Sequence, residues 1–315
     1  MKILIFGGTR FVGKSLVKKL IENNHSVTVV SKSNIILSND IIHIKSKKED
    51  SYKLLKNINS YDFIIDFIAY TPKDIEGLFK FIGDVKYIMV STLWINHLES
   101  SNERIFFDYE LNYVKNKKET EKIIIKRHGK LKNSYIFRAP IIMGPKDHTG
   151  RLFFYHKRIS FDNYPFLYID QKFINTSFLY KDDFVNLIYN FIINLDYQND
   201  CIFDILPRSK ISIYPELIKF IKKIKNVKKE QFIISPRELK LNFPEFYNLE
   251  PYFRETEFKL INKNLIDLMN FKETSYKDII LRSLENKNFE NNNSIYNRIY
   301  GDLRTKEIEF IKSNT

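Results

Sequence analysis

The sequence predicts an α/β protein with a doubly wound parallel sheet and a smaller α+β lobe toward the C-terminus. Three stretches carry that expectation. Ile3 to Phe6 is a short apolar run that stops at Gly7-Gly8, and a helical pattern starts directly after it. A second strand-like run, Ser26 to Val30, follows that helix at the spacing of a βαβ unit. Asp62 to Ala69, DFIIDFIA, is almost wholly apolar, as suits a strand covered on both faces by helices.

The first helix runs from about Arg10 to Asn23, with Phe11, Val12, Leu16, Val17, Leu20 and Ile21 on one face and Asn23-Asn24 as its stop. Further strands are expected at Ile41 to Ile44, Lys86 to Val90 and Tyr135 to Phe137. A short helix is expected near Ser51 to Lys56 and another from Pro72 to about Phe81. Tyr70-Thr71-Pro72 breaks the chain at the carboxyl end of the fourth strand, where a doubly wound sheet binds its ligand. Beyond Gly144 the pattern loosens. Ile174 to Leu179 and Cys201 to Leu206 read as strands, and Asp182 to Ile193, Tyr214 to Ile224 and Tyr276 to Glu285 as helices. NKNFENNNS reads as a loop, and the tail to Thr315 as a docking helix or a frayed end.

The chain has 315 residues, 43% hydrophobic and 15% aromatic, enough for a sizeable core. Its single cysteine, Cys201, rules out an intrachain disulfide and a cysteine-ligated metal centre, and its apolar surroundings suit a buried strand position. A reducing cytoplasm fits. No run approaches the ~20 apolar residues of a membrane span, and the N-terminal apolar run stops too early for a signal peptide. The expectation is a soluble cytoplasmic protein with no membrane partner. The formal net charge of +13 invites a nucleic-acid partner. The basic residues, however, are dispersed among Asn and Ile, as in KSKKEDSYKLLKNINS, and the same positive field suits an anionic small substrate.

Lys2 to Gly13, KILIFGGTRFVG, has the strand, tight turn and helix start of a dinucleotide-binding βαβ unit. Gly7 permits a sharp turn through φ > 0. Gly13 lets the helix pack closely, and the helix N-terminus offers N–H groups to a pyrophosphate. The expected cofactor contacts are Gly7, Thr9, Arg10, Phe11, Val12 and Gly13, with Ala69 at the end of the fourth strand. Arg10 stands where the pattern G-x-x-G-x-x-G has its middle glycine, so the phosphates are approached more loosely or by a side chain. After the second strand, Ser31-Lys32-Ser33 lacks the carboxylate that would bind the ribose hydroxyls of NAD. Lys32 and Arg10 could pair instead with the 2′-phosphate of NADP, or be plain surface cations. NADP is the expected cofactor and NAD the alternative. On these grounds residues 1–145 form a Rossmann-type domain with a return at 172–200, and residues 146–171 and 201–315 form a substrate lobe.

A tyrosine four residues before a lysine shares a helix face with it. The ammonium lowers the phenol's pKa, so a proton can be exchanged near neutrality. That is what a carbinol oxygen needs while hydride moves to or from a nicotinamide. The spacing occurs at Tyr52/Lys56, Tyr113/Lys117 and Tyr168/Lys172. Position selects Tyr113 and Lys117, which open the helix after the fifth strand with its Ser91-Thr92 end.

GGTRFVG (7–13), VSTLWIN (90–96), YVKNK (113–117) and RAPIIMGP (138–145) resemble the extended and atypical short-chain dehydrogenase/reductases, the NAD-dependent epimerase/dehydratase family. The GGTRF turn and residues 144–151 resemble an atypical subgroup. The likeness spans the first half of the chain; the second half matches only in outline. It implies that Tyr113 is the general acid/base, that Lys117 lowers its pKa and binds the nicotinamide ribose, and that Thr92, with Ser91 beside it, is the catalytic hydroxyl. It turns Asn96, at a position where the family has tyrosine, and Arg138 toward substrate. Arg151 is a candidate clamp on a substrate diphosphate, or a structural salt bridge. Sugar-nucleotide 4,6-dehydratases carry an Asp-Glu pair where this chain has Leu93-Trp94, and neither of these can transfer a proton.

The expected function is therefore an NAD(P)-dependent reductase or epimerase of a nucleotide-activated sugar, compatible with a homodimer. The alternatives are a non-catalytic family member that binds cofactor and RNA, and a reductase of a non-sugar carbonyl compound.

Overall fold

The structure, a computed structural model, describes residues 1–33, 40–52, 55, 57–99, 108–170, 175–194, 200–212, 216–249, 258–285 and 293–315. In chain order the first elements are β1 (Lys2–Phe6), α1 (Phe11–Glu22), β2 (Ser26–Ser31), β3 (Ile41–Lys45), the single turn α2 (Lys48–Ser51), β4 (Phe63–Asp66) and α3 (Lys73–Phe79). Then come β5 (Lys86–Thr92), α4 (Trp94–Glu99), α5 (Asp108–Leu131), β6 (Ser134–Ala139), β7 (Ile141–Met143), α6 (Arg151–Ser160), β8 (Phe166–Ile169), β9 (Asn175–Thr176) and β10 (Phe178–Tyr180). After these lie α7 (Lys181–Ile193), β11 (Ile202–Asp204), β12 (Ile211–Ser212), α8 (Ile218–Ile224), β13 (Gln231–Ile234), α9 (Pro236–Asn242) and α10 (Pro244–Leu249). The chain ends with β14 (Lys263–Asn264), α11 (Leu265–Leu268), α12 (Tyr276–Leu284), α13 (Asn293–Tyr300) and α14 (Leu303–Ser313).

Eight strands form one sheet in the order β14-β11-β6-β5-β4-β1-β2-β3, and all neighbouring pairs are parallel. The chain winds outward from β1 in both directions, so the crevice opens at the carboxyl ends of β1 and β4. Parallel strands need crossovers, and helices on both faces make the central strands mostly apolar. Alternation sorts those residues between two cores. Ile3, Ile5, Phe63, Ile65 and Ile88 pack with Leu16, Val17 and Leu20 of α1 and with Phe184, Leu187 and Phe191 of α7. Leu4, Phe6, Ile64, Tyr87 and Met89 pack with Ile75 and Leu78 of α3 and with Ile124 of α5.

The sheet and its helices make one compact unit, residues 1–142, 179–207 and 258–273; residues 143–178, 208–257 and 274–315 make a second. This differs from the expected boundaries, which put everything from residue 201 onward in the second lobe. The strand expected at Cys201 to Leu206 pairs with β6, Phe203 opposite Phe137, and so extends the sheet. Beyond it lies β14, whose two residues carry no readable period. Buried Asp204 recruits that segment: its carboxylate accepts from Ile261 N (2.9 Å), Asn262 N (3.1 Å) and Asn262 Nδ2 (3.1 Å).

Smaller differences are local. The expected strand from Ile174 to Leu179 is two short strands, β9 and β10. The short helix expected near Ser51 begins earlier, at Lys48, and Lys56 lies outside the described residues. The helix expected from Tyr214 is described from Ile218, with Tyr214 itself outside the described residues.

In the second unit β8 and β13 pair in parallel. The tail docks as α14. Buried Glu307 accepts from Leu167 N (2.7 Å) and from Arg158 Nη2 (2.7 Å) and Nε (3.0 Å). Arg304 and Lys229 close a second pair of bonds on Asp162 (2.7 and 2.8 Å). α9 starts at a Ser235/Glu238 capping box with Pro236 at the first helical position. Among the described residues no helix is long and apolar enough to cross a membrane.

Candidate functional site

The glycine turn is built by contact. A Cβ on Gly13 would stand 2.3 Å from Gly7 O and 3.0 Å from Gly8 Cα, so α1 begins directly against the end of β1. Gly7 itself has φ +89°, which favours glycine. Arg10 is extended (φ −132°, ψ 155°) and exposed, a conformation open to any residue. The backbone strain lies one residue later, at Phe11, with φ +41°. Thr9 and Val12 are buried in the turn, and Ala69 is buried in the core. The Arg10 side chain does not cap the N-terminus of α1, and no acidic residue sits in its first turn. That leaves the positive end of the helix suited to an anion.

At the end of β2 the Ser31 hydroxyl is held by His43 Nε2 at 2.9 Å and accepts from Ser33 N at 3.3 Å. Lys32 is exposed, as is Arg10. Ser31, Lys32 and Ser33, at this strand end, include no carboxylate.

Of the three tyrosine–lysine spacings, one lies wholly within the described residues, on α5. Tyr113 and Lys117 share a face of α5. Tyr52 is buried, with its hydroxyl on Asp74 O (3.2 Å), and its partner Lys56 lies outside the described residues. Tyr168 lies in β8, and Lys172 is outside the described residues.

Lys117 is 2% exposed, and its Nζ donates to Val90 O of β5 at 2.9 Å. Nζ lies 6.0 Å from the centroid of the Tyr113 ring, and Tyr113 itself is 39% exposed. Burial pushes the Lys117 ammonium down to about 8, against the opposing pull of the Asp66 and Glu121 carboxylates. A buried ammonium thus lies beneath an accessible phenol at a sheet end, which is the arrangement that proton exchange at that phenol requires.

Thr92 ends β5, nearly buried, and its Oγ1 accepts from Trp94 N at 3.3 Å as the chain turns into α4. Ser91 faces the other way, toward Glu121 of α5. Burial raises that carboxyl, while the Arg138 guanidinium holds it down. Of the two hydroxyls, Thr92 is therefore on the face that Ser91 is not.

Two of the expected substrate contacts are corrected by their burial. Arg138 is 3% exposed and Asn96 1%. The Arg138 guanidinium donates to Glu121 (2.7 Å), to Glu99 (2.9 and 3.1 Å) and to Asn96 Oδ1 (2.8 Å). Asn96 Nδ2 in turn donates to Asp204 Oδ2 and Lys259 O, both at 2.8 Å. This closed network ties α4, α5, β6 and the strand ends together and leaves neither residue for a substrate. Arg151, in the second unit, is partly exposed at the start of α6. It donates to Thr149 Oγ1 (3.1 Å) and lines a small hollow with Gly144, Lys146 and Asp147.

Sequence reasoning missed the groups beneath and beside Lys117. Asp66, fully buried at the end of β4, accepts from Lys48 Nζ, from Tyr87 Oη (2.7 Å) and from Ile68 N (2.9 Å). Its signal was present as a lone charge inside an apolar strand. Tyr70, in the loop after β4, had no signal at all: its ring lies over Lys117 Nζ at 5.0 Å. Burial pushes the thiol of the single cysteine, Cys201, up to about 12.

The fold is shared with solved structures. The UDP-glucose 4-epimerase of Thermotoga maritima, solved with UDP-glucose, is 19% identical. It covers 90% of this chain and 98% of its own, with a TM-score of 0.66. The UDP-glucose 4-epimerase of Thermus thermophilus in complex with NAD is 12% identical over 92% of this chain and 99% of its own, with a TM-score of 0.68. The dTDP-glucose 4,6-dehydratase of Bacillus anthracis in complex with NAD is also 12% identical, over 95% of this chain and 99% of its own, with a TM-score of 0.68. No protein-family model and no curated protein matches the chain in sequence. At these identities the likeness is one of fold.

Proposed function

We propose that this protein is an NADP-preferring oxidoreductase or epimerase that moves hydride at a carbinol or keto carbon of a nucleotide-activated sugar. The observation that carries the reading is the buried Lys117 ammonium under the accessible Tyr113 phenol at the end of β5. The fold-sharing structures support the substrate class, since their ligands are UDP-glucose and NAD.

The residues present fit a dinucleotide. The Gly7–Gly13 contact brings the start of α1 against the strand end, where a pyrophosphate can take its N–H groups. Exposed Arg10 and Lys32 would pair with a 2′-phosphate, and Ser31 replaces the carboxylate that would repel it. A bound nicotinamide supplies the hydride acceptor or donor. Tyr113 exchanges the proton of the carbinol oxygen, and the ammonium of Lys117 stabilises the phenolate that results. With its pKa near 8, Lys117 is mostly charged at pH 7. Thr92 orients the reacting oxygen. A 4,6-dehydratase is disfavoured, because the two residues after Thr92 carry no acid: Leu93 is fully buried and Trp94 packs edge-on against Phe258 (5.3 Å).

The test is Tyr113→Phe assayed with NADPH or NADP against a panel of sugar nucleotides. Turnover is expected to fall by a factor of about 100 or more while NADPH binding persists; full activity in the variant sinks the assignment. Mass spectrometry of the nucleotide retained by purified protein checks NADP against NAD.

A further inference from the structure

Two phenols stand over Lys117, and the helical spacing accounts for only one of them. The second, Tyr70, is delivered by the loop between β4 and α3. Asp74 holds that loop: its Oδ2 accepts from Tyr70 N (2.9 Å), Thr71 N (2.7 Å) and Thr71 Oγ1 (3.1 Å). The Tyr70 ring is 49% exposed, yet its centroid is 5.0 Å from Lys117 Nζ, closer than the 6.0 Å of Tyr113. The two rings lie 6.3 Å apart at 52°. An ammonium has three donors. One from Lys117 goes to Val90 O, and among the described residues no carboxylate lies within 4 Å of Nζ.

We infer that Tyr70 is a positioning residue for Lys117: its ring face packs on the ammonium beside the bond to Val90 O and holds the cation beside Tyr113. The inference rests on the reading of Tyr113 and Lys117 as the reacting pair. Cation–π attraction acts within about 6 Å of a ring centroid and favours the charged lysine. The other charged groups around Nζ come from every packed element. Asp66 on β4, Glu121 on α5 and Asp74 on α3 favour the ammonium, Lys48 on α2 opposes it, and burial opposes it most. Burial and the Asp66 and Asp74 carboxylates raise the Tyr70 phenol itself, so it contributes a ring rather than a second phenolate.

Lysine 13Cε NMR tests this in the unligated protein, with the Lys117 resonance assigned as the one lost in Lys117→Met. The wild-type midpoint is expected near 8. Tyr70→Phe keeps that midpoint, while Tyr70→Leu and Tyr70→Met lower it by about half a pH unit. A series of fluorinated phenylalanines at position 70, which keep the shape and drain the ring face, lowers it stepwise and decides the matter if the aliphatic variants fail to fold. A midpoint indifferent to ring removal and to fluorination overturns the inference. If the midpoint moves while Tyr113→Phe keeps full turnover, Tyr70 still places Lys117 and the catalytic reading of the pair is what fails.

Discussion

Replacing Gly13 by alanine puts the new methyl carbon 2.3 Å from Gly7 O and 3.0 Å from Gly8 Cα. Carbon–oxygen contacts normally begin at about 3.3 Å, so roughly 1 Å of room must be found. Neither obstacle can yield. Both are backbone atoms just after a strand buried from Ile3 to Phe6, pinned by Gly7 N to Val30 O (3.1 Å) and Phe67 N to Phe6 O (3.0 Å). The start of α1 must lift instead, pulling at Val12, Leu16, Val17 and Leu20 in the core. Overpacking of this kind costs about 1–3 kcal/mol, equivalent to a Tm lower by roughly 2–10 °C. On the proposed reading, the same movement draws the helix N–H groups away from the cofactor's pyrophosphate, and a loss of about 1.4 kcal/mol there weakens NADPH tenfold. Thermal melts and NADPH fluorescence titration read both effects. Gly129→Ala is the control, because a Cβ on this α5 glycine meets nothing within 4 Å and alanine is the better helix former. A Gly13→Ala protein that melts and binds like wild type refutes the close-contact argument.

Glu307→Ala strands the buried Arg158 guanidinium and should cost about 3–5 kcal/mol, loosening α14; urea unfolding and limited proteolysis of the tail check this, and an unchanged unfolding midpoint contradicts it. Arg138→Met leaves Glu121 buried without its counter-ion and is expected to lose a similar amount of stability. If it raises only the KM for substrate and keeps wild-type stability, the closed network is the wrong account. Lys117 titrates near 8, below its ordinary 10.5, so the folded state disfavours the charge. That cost is fully present below pH 8 and fades toward pH 10.5, where the unfolded chain still binds the proton. Lys117→Met is therefore expected to be the more stable protein at pH 7, with an advantage in urea that shrinks as the pH rises.

What depends on neighbours along the chain was legible in the sequence. The apolar run of β1, the glycine turn and the period of α1 each follow from local sterics and alternation. The i,i+4 geometry that puts Tyr113 above Lys117 is a property of any helix. Lys117's burial was not legible, nor was its contact with Tyr70, because a loop of one βα unit meets a helix of another only when β4 and β5 pair. Arg138 and Asn96 looked available for substrate for the same reason: Glu99, Glu121 and Asp204, which engage them, lie far apart in sequence and converge at the sheet end. β14 has only two residues and is recruited by the carboxylate of Asp204, so no periodicity could reveal it. Parallel pairing joins residues distant in the chain, and the electrostatics of a buried ammonium are set by whichever groups that pairing delivers. Sequence alone thus determined the strand–turn–helix cradle and the Tyr113/Lys117 pair; the tertiary structure decided which charges and rings surround them.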